Sequence, residues 1–417
     1  MKLPERFDTP RLALNNSQPG RDIHKIAVAS IRDALWKLAL ACALMTGAGL
    51  PGRARAQQTT GDESVRPIAP PSHPLPSEEL SRDVTRFSFI VYGDTRGRRD
   101  GKELQYEHSL VVDGIVDAIK KCDTTSFPVR FVIQTGDAVV NGGDARQWNA
   151  SFIQLVNRIT QEGGVPYYLA PGNHDVTTAR ELGSPDRQRG LRNYLSAISH
   201  LIPPDGTPRR LTGYPTYAFG YGNSFFIAFD SNIAGDEPQF EWVKRQLESL
   251  DRNRYPLVFV FCHHPAFSSG PHGGARIEVP TEEMRKRYMP LFHTHHVRVL
   301  LTGHEHLFEH WVERYTDGGK RYRLDEILTG GGGAPLYPYS GEPDLHEYVR
   351  ANEDAKIKLE HLAKPGLDAG DNPYHFVLVR VDGEKISVEV RGVDWGRDFR
   401  PYRSNQMNLE DGPLMGN

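Results

Sequence analysis

The chain has 417 residues, of which 25% are charged, and its formal net charge is −3 at pH 7. This near-neutral balance lacks the basic excess by which nucleic-acid binders hold phosphate backbones, so we expect no nucleic-acid partner. The length suffices for one large domain or two ordinary ones. The 17 histidines point instead to metal or acid–base chemistry, since histidine is the commonest ligand and proton carrier of that kind.

An apolar run over residues 35–50 follows Arg32 and ends shortly before the small residues Ala54 and Ala56. This layout predicts a secretory signal over residues 1–56, cleaved after Ala56. The alternative is a buried or membrane-anchoring helix, but the run is short and glycine-rich for a membrane span. We therefore expect export to the bacterial periplasm or the extracellular space, with no stable membrane span after the signal is removed.

Composition then divides the remaining chain. Residues 57–84 are rich in proline, serine and charge, which predicts a flexible, disordered linker. Residues 85–397 carry a regular alternation of elements and are predicted to form a catalytic domain. Within it, residues 339–373 are charged and lack a clear strand, so we expect an insertion or a lid there. Residues 398–417 are predicted to be a C-terminal tail.

Apolar runs of strand length alternate with segments of helical periodicity along this domain. The predicted strands cover residues 87–92, 129–134, 165–169, 224–229, 257–261, 297–301 and 325–328, followed by a hairpin of 375–381 with 385–390. The predicted helices cover residues 106–121, 148–159, 239–250 and part of 347–362. Residues 177–217 show little periodicity and are predicted to cross the surface without regular structure. The alternation indicates an α/β fold.

Polar side chains follow most of the predicted strands directly. These residues are Asp94, Asp137, Asn173, His174, His263, His264, His304 and His306. Open α/β sheets build their sites at the carboxyl ends of strands, so we expect these groups to converge. Carboxylate, amide and imidazole ligands suit Mn, Fe, Zn or Co, and two neighbouring carboxylates would repel without a cation between them. The set is large enough for two ions about 3.5–4 Å apart, a spacing used in phosphate-ester hydrolysis.

Five short motifs occur in a fixed order between Gly93 and His306: Gly-Asp-x-Arg, Gly-Asp-x-x-x-Asn-Gly, Gly-Asn-His-Asp, His-x-Pro and Gly-His-x-His. Their order resembles the calcineurin-like metallophosphoesterase superfamily, which includes purple acid phosphatases and cyclic-nucleotide phosphodiesterases. The resemblance implies a four-layer α/β/β/α sandwich of two mixed sheets. It also implies metal-dependent hydrolysis of a small phosphate monoester or diester by metal-activated hydroxide.

The resemblance implies two divalent or trivalent ions, with Mn, Fe or Zn favoured. The ligands that it implies are Asp94, Asp137, Asn173, His263, His304 and His306. Asp137 would bridge the two ions, Asp94 and His306 would hold the first, and the remaining three would complete the second. The His-x-Pro motif favours His263 over His264 as the ligand, because adjacent strand residues point in opposite directions.

The resemblance also implies a catalytic pair beside the ions. His174 would contact the scissile phosphate and act as the general acid that protonates the leaving oxygen. Asp175, the next residue, would tune His174. A non-catalytic or single-metal protein that binds a phosphate ligand on the same fold is the alternative function.

The first motif departs from the family pattern. The family usually has Asp-x-His there, but this chain has Arg96, which stays protonated and cannot ligate a metal. Purple acid phosphatases use a tyrosine three residues after the bridging aspartate, where this chain has Val140. Arg96 could grip a substrate phosphate beside a weakly held first ion, or its charge could replace that ion. A surface ion pair is the third possibility.

Other histidines and glycines carry weaker signals. His272 lies on a glycine-rich loop and is expected to be solvated, although it could touch substrate. His293, His295 and His296 precede a strand, so we expect them at the opposite end of the sheet and on the surface. The glycines of residues 330–333 are expected to let the backbone pass close to the metal site.

Overall fold

The computed structural model describes residues 64–97, 103–176, 182–273, 276–396, 399, 401–402 and 405–410. The predicted signal segment, residues 1–56, lies outside these residues, as does part of the predicted C-terminal tail. None of the described helices is long and apolar enough to cross a membrane.

The described residues form thirteen strands in two mixed sheets. The six-stranded sheet has the order β13-β12-β11-β1-β2-β3, and the seven-stranded sheet has the order β10-β8-β9-β7-β6-β5-β4. The strands are β1 Arg86–Tyr92, β2 Val129–Gln134, β3 Tyr167–Leu169, β4 Tyr217–Tyr221, β5 Ser224–Ala228, β6 Leu257–Phe261, β7 Val299–Thr302, β8 Phe308–Asp317, β9 Lys320–Thr329, β10 Lys358–Ala363, β11 Tyr374–Asp382, β12 Lys385–Asp394 and β13 Gln406–Asn408. The predicted α/β class with two mixed sheets is confirmed.

Helices cover the outer faces of both sheets. The α-helices are Tyr106–Asp123, Ala145–Gln147, Gln154–Gln161, Pro185–Ala197, Glu237–Glu248, Val279–Glu283, Met289–Thr294 and His346–Ala351, and π-helical segments occupy Trp148–Ile153 and Met284–Tyr288. The helix Tyr106–Asp123 packs its apolar face into one buried cluster with the first sheet. The helix Glu237–Glu248 packs into a second cluster with the other sheet. The layers are therefore helix, sheet, sheet and helix.

Aromatic side chains fill the space between the two sheets. Phe89 and Phe131 of the first sheet meet Phe226 of the second edge to face, with ring centroids 5.4 and 5.1 Å apart. Phe259 packs against Phe89 in the same way at 5.2 Å. All four rings are fully buried, and each contributes about 2–3 kcal/mol of apolar burial. This core fixes the two sheets face to face.

Strand direction then places the polar loops together. In the first sheet, β2 runs parallel to both β1 and β3. In the second sheet, four adjacent strands run parallel to one another: β5, β6, β7 and β9. The carboxyl ends of each parallel group lie at one edge of their sheet. The motif loops follow those ends.

The segment predicted to be a flexible linker packs on the domain from residue 64 onward. Val65 and Ile68 are buried, and the Ile68 amide donates to the Ala197 carbonyl at 2.8 Å. Glu78 accepts both arms of the Arg209 guanidinium at 3.0 and 2.8 Å. The linker prediction is wrong for this part, because composition did not show that two apolar residues and one carboxylate have specific partners on the domain.

Two regions contain regular structure that periodicity did not show. The helix Pro185–Ala197 lies within the predicted irregular crossing; Ser184 caps it by accepting from the Arg187 amide. Strand β10, Lys358–Ala363, lies where a helix was expected and pairs with β8. An edge strand depends on its neighbour for hydrogen bonds, so pairing overrides local pattern here. The predicted insertion or lid thus contributes a strand to the second sheet.

Candidate metal centre

Three of the residues that follow strands have left-handed backbones. The φ angles of Asp94, Asp137 and His304 are 58°, 56° and 72°. Such angles are uncommon outside glycine, although aspartate and histidine adopt them more readily than most residues. They reverse the chain as each strand ends, at a cost of about 1–3 kcal/mol each. Strain of this kind is typical of functional sites.

Backbone hydrogen bonds connect the first two motif loops. The Asp94 amide donates to the Gly136 carbonyl at 3.0 Å. The amides of Thr95 and Arg96 both donate to the Asp137 carbonyl, at 3.0 and 3.1 Å. The two aspartates are therefore held side by side by the main chain, independently of any bound ion.

Close backbone approach explains two of the glycines. A β-carbon at Gly172 would lie 2.2 Å from the Asp137 amide nitrogen and 2.2 Å from its Oδ1. A β-carbon at Gly330 would lie 2.1 Å from the Glu305 carbonyl oxygen and 2.9 Å from Asp94 Oδ2. Any larger residue would push these loops apart. The expected close passage of the glycine run at residue 330 agrees with this geometry.

Three predicted ligands lie close to one nitrogen of a fourth, His263. His263 Nε2 lies 3.0 Å from Asn173 Oδ1, 3.1 Å from His304 Nδ1 and 3.4 Å from Asp137 Oδ1. An ion with ligand bonds of about 2.0–2.2 Å requires ligand atoms about 3–3.6 Å apart. The three distances from His263 Nε2 lie within this range, and we call Asp137, Asn173, His263 and His304 the ligand quartet.

Hydrogen bonds on the far side of two imidazoles leave their inner nitrogens unprotonated. His263 Nδ1 donates to the Thr135 carbonyl at 2.9 Å, so Nε2 carries a lone pair. His304 Nε2 donates to Glu278 Oε2 at 3.2 Å, which leaves the lone pair on Nδ1. Burial lowers the pKa of His263 to about 3 and keeps it neutral. Both lone pairs face the quartet, where a metal ion requires them.

Glu278 was not identified from the sequence, because it lies outside the motifs on a segment that reaches the site only through the fold. His264, which the motif disfavoured, turns away from Asp137 and makes a 2.9 Å hydrogen bond through Nδ1 with the Ser231 hydroxyl. Asp94, Asp137 and His263 form one close group of potential ligand atoms, and His264, Glu278 and His304 form a second. Because Glu278 occupies Nε2 of His304, we interpret this group as support for the quartet.

The position expected for a first ion is occupied by a side chain. Arg96 Nε donates to Asp137 Oδ2 at 3.1 Å, and Arg96 Nη2 lies 3.2 Å from His306 Nε2. His306 Nδ1 donates to the Pro335 carbonyl at 2.7 Å, so Nε2 is an acceptor and takes the arginine proton. Asp94 Oδ1 lies 3.6 Å from the same Nε2. The first ligand set therefore surrounds a guanidinium group.

Negative charge exceeds positive charge around these aspartates. Asp94 is fully buried, and its Oδ1 has no hydrogen-bond partner among the described residues. Burial, and then the charge of Asp137, raise the pKa of Asp94 well above its usual value. This oxygen lies on the side of the Arg96 guanidinium, 3.6 Å from His306 Nε2, and is not part of the quartet. The chemistry of the quartet fits Mn, Fe or Zn, whereas the position next to Arg96 does not fit an ion.

His174 lies at the rim of the quartet. Its Nδ1 donates to the Val140 carbonyl at 2.7 Å, and its Nε2 lies 4.0 Å from Asp137 Oδ2. The side chain is 26% exposed, and Nε2 makes no hydrogen bond among the described residues. A ring that is held at one nitrogen and open at the other is arranged for proton transfer.

Asp175 does not contact the His174 ring through any hydrogen bond among the described residues. Its buried carboxylate accepts from the amides of Ala138 at 2.8 Å, Val139 at 3.3 Å and Gly172 at 2.8 Å. The expectation that Asp175 tunes His174 directly therefore differs from the structure. Asp175 instead holds together the loops that carry the second and third motifs.

His272 is not the solvated loop residue expected. Its Nδ1 lies 3.2 Å from Glu305 Oε2, and Glu305 Oε1 accepts the amides of His272 and Gly273 at 2.7 and 2.8 Å. The His272 ring packs 4.9 Å from His304 and 5.5 Å from Tyr337. Because Glu305 lies inside the Gly-His-x-His motif, its carboxylate was available to the sequence argument but was not used.

The prediction that His293 lies on the surface is also wrong. It is buried rather than on the surface; its Nε2 lies 3.1 Å from Glu313 Oε2, and its ring packs 4.4 Å from Tyr315. His295 and His296 are partly exposed. The expectation that these residues lie away from the site agrees with their position before β7.

Comparisons with known proteins agree with this fold. Purple acid phosphatase 15 from Arabidopsis thaliana is 24% identical over 204 residues, covering 48% of this chain and 32% of that protein. Tartrate-resistant acid phosphatase type 5 from Sus scrofa is 33% identical over 150 residues, covering 34% of this chain and 42% of that protein. The chain spans less than half the length of these curated relatives.

A solved purple acid phosphatase from yellow lupin (Lupinus luteus) seeds shares the fold. It superposes with a TM-score of 0.53 at 17% identity, covering 76% of this chain and 53% of that one. Residues 88–308, more than half of the chain, match the family model described as calcineurin-like phosphoesterase. This match spans all five motifs. The chain belongs to the calcineurin-like phosphoesterase family.

Proposed function

We propose that this protein is a metal-dependent hydrolase of small phosphate esters. The observation that carries the proposal is that Asn173 Oδ1, His304 Nδ1 and Asp137 Oδ1 lie 3.0 to 3.4 Å from His263 Nε2. Asp137, Asn173, His263 and His304 would hold a divalent ion, which would lower the pKa of a water and polarise a phosphoryl oxygen. Family membership supports the same activity.

The chain's own residues supply the remaining chemistry. Water adds to phosphorus as the bond to the ester oxygen breaks, and that oxygen needs a proton to leave. The Val140 carbonyl holds His174 Nδ1 and leaves Nε2 without a hydrogen bond among the described residues, so His174 is the proton donor. Solvent then restores the proton, since the ring is partly exposed. Asp175 is a positioning residue that acts through the loop amides.

The choice between monoester and diester follows from what surrounds the leaving group, and the proposal covers both. The expected partner is a small phosphate ester, and the formal charge of −3 supports no nucleic-acid role. Export is part of the proposal and rests on the signal-like residues 35–56. The mass of the protein recovered from the periplasm or the medium tests export: a chain that starts after Ala56 supports it.

Hydrolysis of a panel of aryl and alkyl phosphate monoesters and diesters tests the proposed function. The protein would be stripped with a chelator, assayed, and assayed again after addition of Mn²⁺, Zn²⁺ or Fe²⁺. We expect activity that is lost on stripping and restored by metal. His263→Ala should abolish the restored activity, whereas the matched control His295→Ala, away from the site, should retain it. Restored activity of equal size in both variants would contradict the proposal.

The role of His174 has its own test. His174→Ala should lower kcat by about 10²–10⁴-fold on alkyl phosphates, whose leaving groups need a proton, and much less on nitrophenyl phosphates. Metal content should not change, because His174 is not in the quartet. Equal losses on both substrate classes would show that His174 is not the general acid.

A further inference from the structure

We propose that the guanidinium group of Arg96 takes the place of the first metal ion, so that the centre binds a single ion in the ligand quartet. The inference deepens the proposed function and depends on it only for the role of Arg96 toward substrate. It concerns this chain's own departure from the family motif.

Arg96 contacts the two ligand atoms that a first ion would need to share. Its Nε donates to Asp137 Oδ2 at 3.1 Å and its Nη2 to His306 Nε2 at 3.2 Å. These are hydrogen-bonding distances, and they leave no room for an ion between the same atoms. Oδ1 of Asp137 remains directed at the quartet, 3.4 Å from His263 Nε2. One carboxylate thus serves an arginine on one side and an ion on the other.

The positive charge of Arg96 also suits it to replace a metal ion beside the two aspartates. A guanidinium group stays protonated, so it neutralises part of the charge of the two aspartates but cannot donate a lone pair. The side chain is 17% exposed and Asp137 only 2%, so the pair is largely desolvated. Removing one partner from such a pair leaves an uncompensated buried charge, which is strongly unfavourable. A mobile surface ion pair would not have these contacts.

Among the described residues, the position of the tyrosine ligand of purple acid phosphatases does not restore a first ion either. Val140 stands where purple acid phosphatases have a tyrosine ligand, and its side chain is apolar. Tyr337 lies nearby, but its ring stacks on His306 with centroids 4.1 Å apart and an angle of 17°. This stack holds the His306 ring from one face while Pro335 fixes Nδ1, so His306 is positioned to accept from Arg96.

The remaining guanidinium nitrogen points to a function in substrate binding. Nη1 makes no hydrogen bond within the part of the chain that the structure describes, whereas Nε and Nη2 are both occupied. Arginine binds phosphoryl oxygens well because its donors have a fixed planar geometry. Arg96 thus couples charge compensation at Asp137 to contact with the substrate phosphate.

Metal stoichiometry with electron paramagnetic resonance tests the inference. The full-length protein would be stripped, loaded with excess Mn²⁺ and freed of unbound ion. We expect about one equivalent per chain in the wild type and a spectrum of isolated Mn²⁺. Arg96→His, which restores the family motif, should bind about two equivalents and show an exchange-coupled pair. Arg86→His, an exposed change at the start of β1, the strand that precedes Arg96, is the matched control and should remain at about one.

The outcomes separate this inference from the proposed function. A coupled pair in the wild type, or no bound ion at all, would overturn the single-ion inference whatever the variants do. A single ion in the wild type supports it even if Arg96→His fails to fold. One ion without hydrolysis of any ester would reject the proposed function while this inference stands. Two bound ions in the wild type together with ester hydrolysis would reject the single-ion inference while the proposed function stands.

Discussion

Two buried carboxylate clusters lie on this fold, and they differ in how fully their charges are paired. Asp325, in the middle of β9, accepts from Arg323 at 2.8 and 2.7 Å, from His310 at 2.7 Å and also from Arg298. Each of its oxygens has at least two partners. At the carboxyl end of the parallel strands, Asp94 has an oxygen with no partner among the described residues.

The difference indicates what each cluster is for. A carboxylate saturated by side chains is complete without a ligand, and its contribution is to the stability of the fold. A group of carboxylates and lone-pair nitrogens with too few cations is incomplete, and its deficit favours binding of a metal ion. Burial alone does not distinguish the clusters, because Asp94 and Asp325 are both fully buried.

Removing the bridging carboxylate should have the largest effect on activity. Asp137→Asn should reduce metal-restored hydrolysis by more than about 10³-fold, because the ion loses a charged ligand and Arg96 its partner. Retained metal content together with retained activity would contradict the assignment. The measurement is steady-state kinetics with metal content determined on the same sample.

The corresponding change in the saturated cluster should act on stability instead. Asp325→Asn should lower the free energy of unfolding by about 3–5 kcal/mol, because it leaves two buried arginines without their carboxylate. Activity per folded molecule should stay close to that of the wild type. Urea denaturation of metal-free protein measures the first effect, and kcat corrected for the folded fraction measures the second. If Asp325→Asn lowered kcat and left the free energy of unfolding unchanged, the assignment of Asp325 to stability would be wrong.

The pH dependence of stability should separate the clusters more finely. Burial raises the pKa of Asp325, but Arg298, His310 and Arg323 together outweigh burial and lower this pKa below its usual value. Its stabilisation is therefore fully present above the unfolded-state pKa of about 3.9 and is lost as pH falls below that value. Between pH 7 and 3, the stability difference between wild type and Asp325→Asn should shrink at the acid end. A difference independent of pH would show that Asp325 does not act through its charge.

Sequence patterns were sufficient for the parts of the molecule governed by local rules. Strands followed by Gly-Asp, Gly-Asn-His and Gly-His predicted both the fold class and the residues that converge, since parallel strands bring their carboxyl ends to one edge. The position of Arg96 within the first motif was also visible. The contacts of Arg96 could not be predicted, because a residue type does not specify which of several charged neighbours its side chain will reach.

The failures have one physical cause, which is tertiary contact without local pattern. Glu278 reaches His304 from a distant segment, and residues 64–84 pack through a few specific partners despite a linker-like composition. Strand β10 forms only because β8 offers it hydrogen bonds. Asp175 was predicted to tune His174, its sequence neighbour, whereas its carboxylate accepts hydrogen bonds from the amides of three loop residues. None of these contacts leaves a periodic signal.

An anomalous-scattering difference map of crystals grown with Mn²⁺ tests the central claim most directly. We predict one peak per chain, within about 2.3 Å of Asn173 Oδ1, His263 Nε2 and His304 Nδ1, with Arg96 between Asp137 and His306. A second peak between Asp94 and His306, with Arg96 displaced, would contradict the single-ion centre. A map without a peak in the quartet would contradict the metal-dependent account itself.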